Sequence, residues 1–173
     1  MARPQKLTAD PVGMAREMWT AKGWERAAEG MATVTSIMRA HQLLLARANE
    51  VLRPLRLTFA RYEVLAWLAW NIEGGSLSLS QISQRLQVTP ATVTSAIDRL
   101  EADKLVRRLA HPSDARTTLA EITARGRTLV DTATTELNTR LFEAVQLSRD
   151  EMEALFGLLV KLRIDEGDFS SGG

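Results

Sequence analysis

The sequence predicts a fold that is mainly α with a small β-wing, and three observations predict it. Two short apolar-periodic segments, around 81–87 and 90–103, are separated only by Val88-Thr89-Pro90. The run LVRRLA, the turn HPSDAR and the run TTLAEI follow at once, which is the pattern of a β-hairpin. Long helical stripes of apolar residues occupy both ends of the chain. Two helices across a tight turn, followed directly by a hairpin, make a winged helix-turn-helix, here with N- and C-terminal dimerisation helices.

Each element has a local cause. Asp10 can cap and Pro11 is pre-set for a first turn, so a short helix runs to about Lys22 and ends at Gly23. From Met31 to about Leu52, Val34, Ile37, Met38, His41, Leu44, Leu45, Ala48 and Leu52 fall at helical spacing, and Pro54 stops the helix. Thr58 caps a third helix with Tyr62, Leu65, Leu68, Ala69 and Ile72 inward, and Gly74-Gly75 ends it. SLSLS alternates like a short strand. Ser80 is placed to cap a helix over Gln81 to Gln87, with Ile82 and Leu86 inward. Thr89 caps and Pro90 opens the next, with Val93, Ala96, Ile97 and Leu100 inward. After the hairpin, Thr123 caps a long helix carrying Val130, Ala133, Leu137, Leu141 and Ala144. Ser148 and Glu151 form a capping box for the last helix, whose stripe is Met152, Leu155, Leu159 and Leu162.

Composition excludes several classes. The chain has no cysteine, which rules out a disulfide scaffold, a thiol redox switch and a thiolate zinc site. His41 and His111 are far apart in sequence and form no metal-ligand spacing. No run approaches the ~20 apolar residues of a bilayer helix. MARPQKLTAD lacks an apolar stretch after its basic residues, so no membrane or export role is expected and the expected location is cytoplasmic. No Gly-rich phosphate loop or nucleophile–base spacing is present, so neither an enzyme nor a cofactor is expected.

Charge points to a polyanion. Net charge is only +1, but residues 99–127 hold seven Lys and Arg against four Asp and Glu, whereas 128–173 hold four against nine. A basic middle beside an acidic end suggests one polyanion-binding surface on an otherwise ordinary protein, and the expected polyanion is double-stranded DNA once the helix-turn-helix is taken with it. The second helix of the pair presents Ala91, Thr92, Thr94, Ser95, Asp98 and Arg99 away from its apolar face, with no acidic residue before Asp98. Small hydroxyls and an arginine suit base edges and phosphates in a major groove. Ser80 and Thr89, at the helix starts, join this set. The hairpin adds Arg107 and Arg108 at its base and Asp114 and Arg116 at its tip. An arginine on a protruding tip can enter a minor groove, and Asp114 is expected to orient Arg116 or Arg99.

The stretch SLSLSQISQRLQVTPATVTSAIDRLEADKLVRRLAHPSDARTTLAEITARG resembles the core of the MarR family of transcriptional regulators. The pieces that carry the resemblance are LSQISQRL, TPATVTSAIDRLE, LVRR, the wing pattern Asp114-x-Arg116 and the Leu-x-x-Ile-Thr-x-x-Gly step into the long helix. LTFARYEVL resembles the preceding helix of the family. The resemblance implies a bacterial homodimer that represses promoters bearing a near-palindromic site. It also implies release by a small aromatic or phenolic anion bound between the dimer helices and the DNA-binding lobe. Members that respond to urate-like ligands carry an extra N-terminal helix with a tryptophan near the pocket, which brings in Trp19, Trp24 and Glu63; His41 and Trp67 are further ligand-binding candidates, Trp67 alternatively packing with Trp70 at the border of a cavity. The alternative is that the tryptophans staple the extra helix and that His41 is a hydrogen-bonded core or interface residue. Two departures stand out. Lys104 occupies a usual glycine position, which predicts a less sharply turned helix end. Ala115 replaces a common second wing arginine, which predicts weaker wing contact.

The expected organisation is an N-terminal extension with an extra helix (1–30), a helical dimerisation region (31–56 and 123–168), a winged helix-turn-helix DNA-binding lobe (57–122) and a loose tail (169–173). The alternative function is a winged-helix protein-assembly module without sequence-specific DNA binding.

Overall fold

The computed structural model describes residues 7–71, 74–114 and 116–170. Helix α1 (Pro11–Ala21) starts at its expected cap: the Asp10 carboxylate accepts from the backbone N–H of Val12 at 3.0 Å and of Gly13 at 3.1 Å. Helix α2 (Glu25–Leu52) begins at Glu25 rather than Met31, so the expected boundary at residue 30 falls inside a helix. Gly30 sits inside this helix, and nothing lies within 4 Å of where its Cβ would stand. Its neighbours Ala27, Ala28 and Glu29 are strong helix formers that carry the helix through it. Helix α1 folds back on α2, with Trp19 and Trp24 edge to face at 5.5 Å and Arg16 paired to Glu29 at 2.9 Å.

Thr58 caps α3 (Phe59–Trp70) by accepting from the Arg61 N–H at 3.4 Å. Tyr62, Leu65 and Leu68 of this helix are buried as expected. The helix ends at Trp70, and Ile72 lies outside the described residues. A three-stranded antiparallel sheet follows, in the order β1 (Ser76–Ser78), β3 (Thr118–Ile122), β2 (Val106–Ala110). Its register pairs Leu77 with Ala120 and Val106 with Ile122, four buried residues that face the helices.

Ser80 does not cap α4 (Leu79–Leu86). Ser78 does, in a full capping box: its Oγ accepts from the Gln81 N–H at 3.1 Å, and the Gln81 side chain accepts from the Ser78 N–H at 2.8 Å. The S-x-x-Q spacing that makes this possible begins at Ser78, and Ser80 has no Gln or Glu three residues on. Ser80 instead shares a hydrogen bond of 3.0 Å with the Ser78 hydroxyl. Thr89 caps α5 (Pro90–Ala102), accepting from the Thr92 N–H at 3.3 Å.

The end of α5 corrects another expectation. Lys104 takes the left-handed conformation, with φ of +60°. Its N–H donates to the Glu101 carbonyl at 2.9 Å, and the Leu105 N–H donates to the Leu100 carbonyl at 2.9 Å. That is a complete Schellman motif, so the turn is as sharp with lysine as a glycine would make it. The cost is the clash of a Cβ in left-handed backbone. Lys104→Gly is therefore expected to stabilise the protein by about 1 kcal/mol, less the glycine's extra entropy in the unfolded chain. Thermal unfolding at fixed concentration reads this as a rise of roughly 2–4 °C per kcal/mol; a fall would show that the lysine's own contacts outweigh the strain.

Helix α6 (Ala124–Leu137) is seated on the sheet by Thr123 and Gly126. The Thr123 N–H donates to the Leu105 carbonyl at 3.0 Å, its hydroxyl donates to the Lys104 carbonyl at 2.9 Å with the Leu105 carbonyl also within reach at 3.1 Å, and its Oγ accepts from the Gly126 N–H at 3.0 Å. A Cβ on Gly126 would collide with the Leu105 carbonyl oxygen and stand 2.8 Å from Ile122 Cγ1. Val130, Ala133, Leu137 and Leu141 form the buried stripe, with a π-helical turn at Asn138–Phe142. Helix α7 (Arg149–Asp165) has the expected capping box at Ser148 and Glu151 but buries none of its residues. No helix among the described residues is long and apolar enough to cross a membrane.

Candidate nucleic-acid interface

Helices α4 and α5 meet across a turn closed by Gln87, whose φ of +55° lets the Val88 N–H reach back to the Ser83 carbonyl at 3.2 Å. The turn is fixed from outside as well: the Ser83 hydroxyl donates to the Val88 carbonyl at 2.5 Å. Val93, Ile97 and Leu100 are buried against the core, which leaves Ala91, Thr92, Thr94, Ser95 and Arg99 all exposed on one face. Ser80 and Thr89 are exposed beside them.

Their hydroxyls are not equivalent. Thr94 donates its proton to the Pro90 carbonyl at 3.0 Å, so it has only lone pairs left to offer. It can accept from the amino group of a base but cannot donate to a phosphate in this rotamer. Thr89 and Thr92 share one hydrogen bond of 2.9 Å, which leaves one donor between them. The guanidinium groups of Arg99 and Arg116 have no ion-pair partner among the described residues.

Two carboxylates on α5 would repel a polyanion, and Arg108 of β2 pairs with both, offsetting one of their two charges. It donates to Asp98 at 2.6 Å and to Glu101, and its backbone N–H donates to Glu101 at 3.1 Å. These hydrogen bonds, the Asp98 one foremost, hold the Arg108 guanidinium more firmly protonated than usual. Arg108 therefore fixes the helix to the wing strand, a role the sequence reading did not assign to it. The signal was present as acidic residues at 98 and 101, one turn apart on the helix preceding an Arg-Arg strand. Arg107, on the other face of the strand, pairs with Glu121 across the ladder. It remains largely exposed, but its charge is already matched.

The wing tip also departs from expectation. Asp114 does not orient an arginine side chain among the described residues. Its carboxylate accepts from the Arg116 backbone N–H at 3.0 Å and the Thr117 hydroxyl at 2.7 Å, building the turn itself. The Thr117 and Arg116 hydrogen bonds pull its carboxyl below the usual range. The reach of Arg116 is thus set by backbone, with the side chain left open. Ala115, the other departure from the family pattern, lies outside the described residues.

Comparison with known proteins agrees with this geometry. The family model described as MarR family matches residues 57–118. Sco5413, a MarR family transcriptional regulator from Streptomyces coelicolor, is 40% identical, with 83% of this chain and 99% of that one covered and a TM-score of 0.74. The chain belongs to the MarR family. A mutant MarR from E. coli complexed with operator DNA is 26% identical over 78% of this chain and 95% of that one, TM-score 0.71. BpsR from Bordetella bronchiseptica, whose DNA binding is regulated by 6-hydroxynicotinic acid, is 28% identical over 75% and 97%, TM-score 0.66. MarR family proteins are DNA-binding transcriptional regulators rather than enzymes, and this chain is one of them.

The effector residues drawn from the MarR resemblance are less gathered. Trp19 and Trp24 pack on each other at the α1–α2 turn, as the stapling alternative has it. His41 is exposed on α2, so within one chain it is not a core histidine. Trp67 carries the Arg85 guanidinium over its ring at 5.2 Å, which ties α3 to α4. Two cavities, of about 450 and 480 Å³, are lined by none of these residues. Glu63, half-buried on α3, has its carboxyl pushed above the ordinary value of 4.5 by desolvation. The folded state then binds its proton more tightly than the unfolded state, so this group's contribution to stability falls as pH rises from 4.5 through the folded value. Glu63→Gln is expected to raise stability at neutral pH and to flatten the pH profile in that window, read by denaturant midpoints between pH 4 and 8. An unchanged profile would remove Glu63 as the titrating group.

Proposed function

We propose that this regulator is a homodimeric repressor that binds a near-palindromic operator and is released by a small aromatic or phenolic anion. The observation that carries the dimer is uncovered apolar surface. The chain exposes 12671 Å², whereas a compact monomer of 19.2 kDa exposes about 8,400 Å². The excess, roughly 4,000 Å² for one chain, is more than the roughly 1,000–2,500 Å² that each partner of an obligate dimer buries, so an interface of that size can be accommodated. It lies on the terminal helices: Met38 of α2 is 61% exposed, and Phe156 and Leu158 of α7 are 65% and 67% exposed. Regions 31–56 and 123–168 would supply the interface, leaving 57–122 as the DNA-reading lobe.

In this reading α5 lies in the major groove. Arg99, Ala91, Thr94 and Ser95 meet base edges, while Ser80, Thr89, Thr92 and Arg107 meet the backbone, and Asp114 holds the wing so that Arg116 reaches the minor groove. BpsR, controlled by 6-hydroxynicotinic acid, supports an aromatic anion as effector. Such a chain works in the cytoplasm, beside the DNA. Selection of duplexes from a random pool at near-physiological salt tests this reading. It predicts an inverted repeat with half-sites about one turn, roughly 34 Å, apart. No enriched sequence from folded dimer would overturn it in favour of an assembly module.

A further inference from the structure

Helix α7 buries none of its residues, yet the chain beyond its end is held in one place. Gly167 takes the left-handed conformation, with φ of +77°. Its N–H donates to the Ile164 carbonyl at 2.9 Å, and the Asp168 N–H donates to the Arg163 carbonyl at 2.9 Å. This Schellman turn folds the chain back over the helix end. Arg163 fastens the turn: its guanidinium pairs with the Asp168 carboxylate at 2.5 Å and lies over the Phe169 ring at 5.0 Å.

The fastened turn meets the DNA-reading lobe at one residue. Gln87 Nε2 donates to the Asp168 carbonyl at 3.2 Å, across 81 positions of sequence. Among the described residues, no other side-chain hydrogen bond or ion pair joins 148–170 to the rest of the chain. Gln87 is the left-handed residue that closes the turn between α4 and α5, two positions before the Thr89 cap of the recognition helix. We propose that Gln87 is a positioning residue. With the C-terminal turn it forms a strut from the end of α7 to the helix-turn-helix turn, and the strut sets the spacing between the two recognition helices.

The spacing role rests on the dimer reading above, in which α7 belongs to the interface. A bond from the end of an interface helix to the turn that aims the recognition helix fixes the lobe against the dimer. Its two ends are suited to this. The carbonyl belongs to a turn held by two backbone hydrogen bonds and an ion pair, and the Gln87 backbone is held by its own N–H, which donates to the Gln84 carbonyl at 3.4 Å. The strength of the strut is bounded. One exposed hydrogen bond biases an equilibrium by roughly two- to tenfold. The strut therefore selects among lobe positions and does not itself supply DNA affinity. A change of one base pair moves a half-site by roughly 3.4 Å and about a tenth of a turn, so the choice of spacing reports it.

Fluorescence anisotropy of the full chain tests the proposal, on the selected operator and on duplexes with the half-sites one base pair closer or further apart. Gln87→Met and Arg163→Gln are the variants. Methionine keeps the length of the side chain and lacks the donor. Glutamine at 163 releases Asp168 and Phe169 without touching the lobe. Both positions are exposed, so fold and dimer should persist in a circular dichroism melt and in sedimentation. Each variant is expected to bind the respaced duplexes about threefold or more tighter than the wild type does, and the selected spacing no tighter. The double variant should gain no more than either single one, because both break one contact. The Val88 amide, which donates to the Ser83 carbonyl across the turn, should exchange with solvent about twofold or more faster in both variants. Wild-type spacing preference in both variants would overturn the strut. Weaker binding of every duplex by Gln87→Met, with Arg163→Gln unchanged, would make Gln87 a DNA contact and overturn it as well. A variant that sediments as a monomer would make the contact part of dimer stability and overturn the spacing role. Failure to select any inverted repeat would refute the dimer reading and the spacing role with it. Faster Val88 exchange in both variants would then leave the strut standing within one chain, and unchanged exchange would remove it.

Discussion

Arg99→Ala combined with Arg116→Ala is expected to lower operator affinity about a thousandfold. Each arginine contact to DNA contributes roughly 1–3 kcal/mol. A dimer presents each arginine twice, so even the lower bound gives about 4 kcal/mol, or three decades. Fold is expected to survive, because both side chains are exposed and neither takes part in an ion pair among the described residues. The salt dependence separates their roles. Loss of a phosphate contact lowers the slope of log affinity against log salt by about one, while loss of a base contact relaxes sequence choice. Fluorescence anisotropy at several salt concentrations, beside a circular dichroism melt, reads all three quantities. Wild-type affinity in the folded double variant would remove α5 and the wing from the DNA interface.

Gly126→Ala is expected to cost about 3 kcal/mol, the upper end of the penalty for forcing an atom into filled space. The new methyl would meet the Leu105 carbonyl oxygen, which is backbone and cannot rotate away. That carbonyl also accepts the hydrogen bond of the Thr123 N–H, so moving it loosens the seat of α6 and the entry to β2 together. At 2–4 °C per kcal/mol, the midpoint of thermal unfolding should fall by roughly 6–12 °C. The comparison must hold protein concentration fixed, because dimerisation adds to apparent stability. A fall under 2 °C would mean that the step from sheet to helix is compliant and the glycine is not required there.

Much of the fold could be read from punctuation. Thr58, Thr89-Pro90, Thr123 and Ser148 each open a helix where their chemistry says they should. The start of α2 could not, because Gly30 carries the same local signal whether it breaks a helix or sits harmlessly inside one. Ser78 and Ser80 differ as caps only through Gln81, three residues beyond the first of them. Lys104 shows the limit of pattern reasoning about glycine. A left-handed residue is demanded by the Schellman bonds, and lysine meets the demand at a cost that the sequence does not display.

The DNA-facing residues were legible for a simple reason. A period of 3.6 that turns Val93, Ile97 and Leu100 inward must turn Thr92, Ser95 and Arg99 outward. The electrostatic support behind them was not legible, because Arg108 meets Asp98 and Glu101 only once β2 is laid beside α5. Asp114 was misjudged through neglect of the backbone. An aspartate two residues before an arginine has that residue's N–H within reach before its guanidinium. The exposed face of α7 was visible as a stripe, but whether it is covered within the chain depends on where the π-helical turn at 138–142 directs the helix.

The central claim is that a two-fold dimer holds two recognition helices one DNA turn apart. Inserting five base pairs between the half-sites of the selected operator tests it most directly, with affinity read by anisotropy. Half a turn places the half-sites on opposite faces of the duplex, so binding is expected to drop to the non-specific level, roughly a thousandfold or more weaker. Undiminished binding to the respaced duplex would mean that the two lobes read DNA independently, and would contradict the claim.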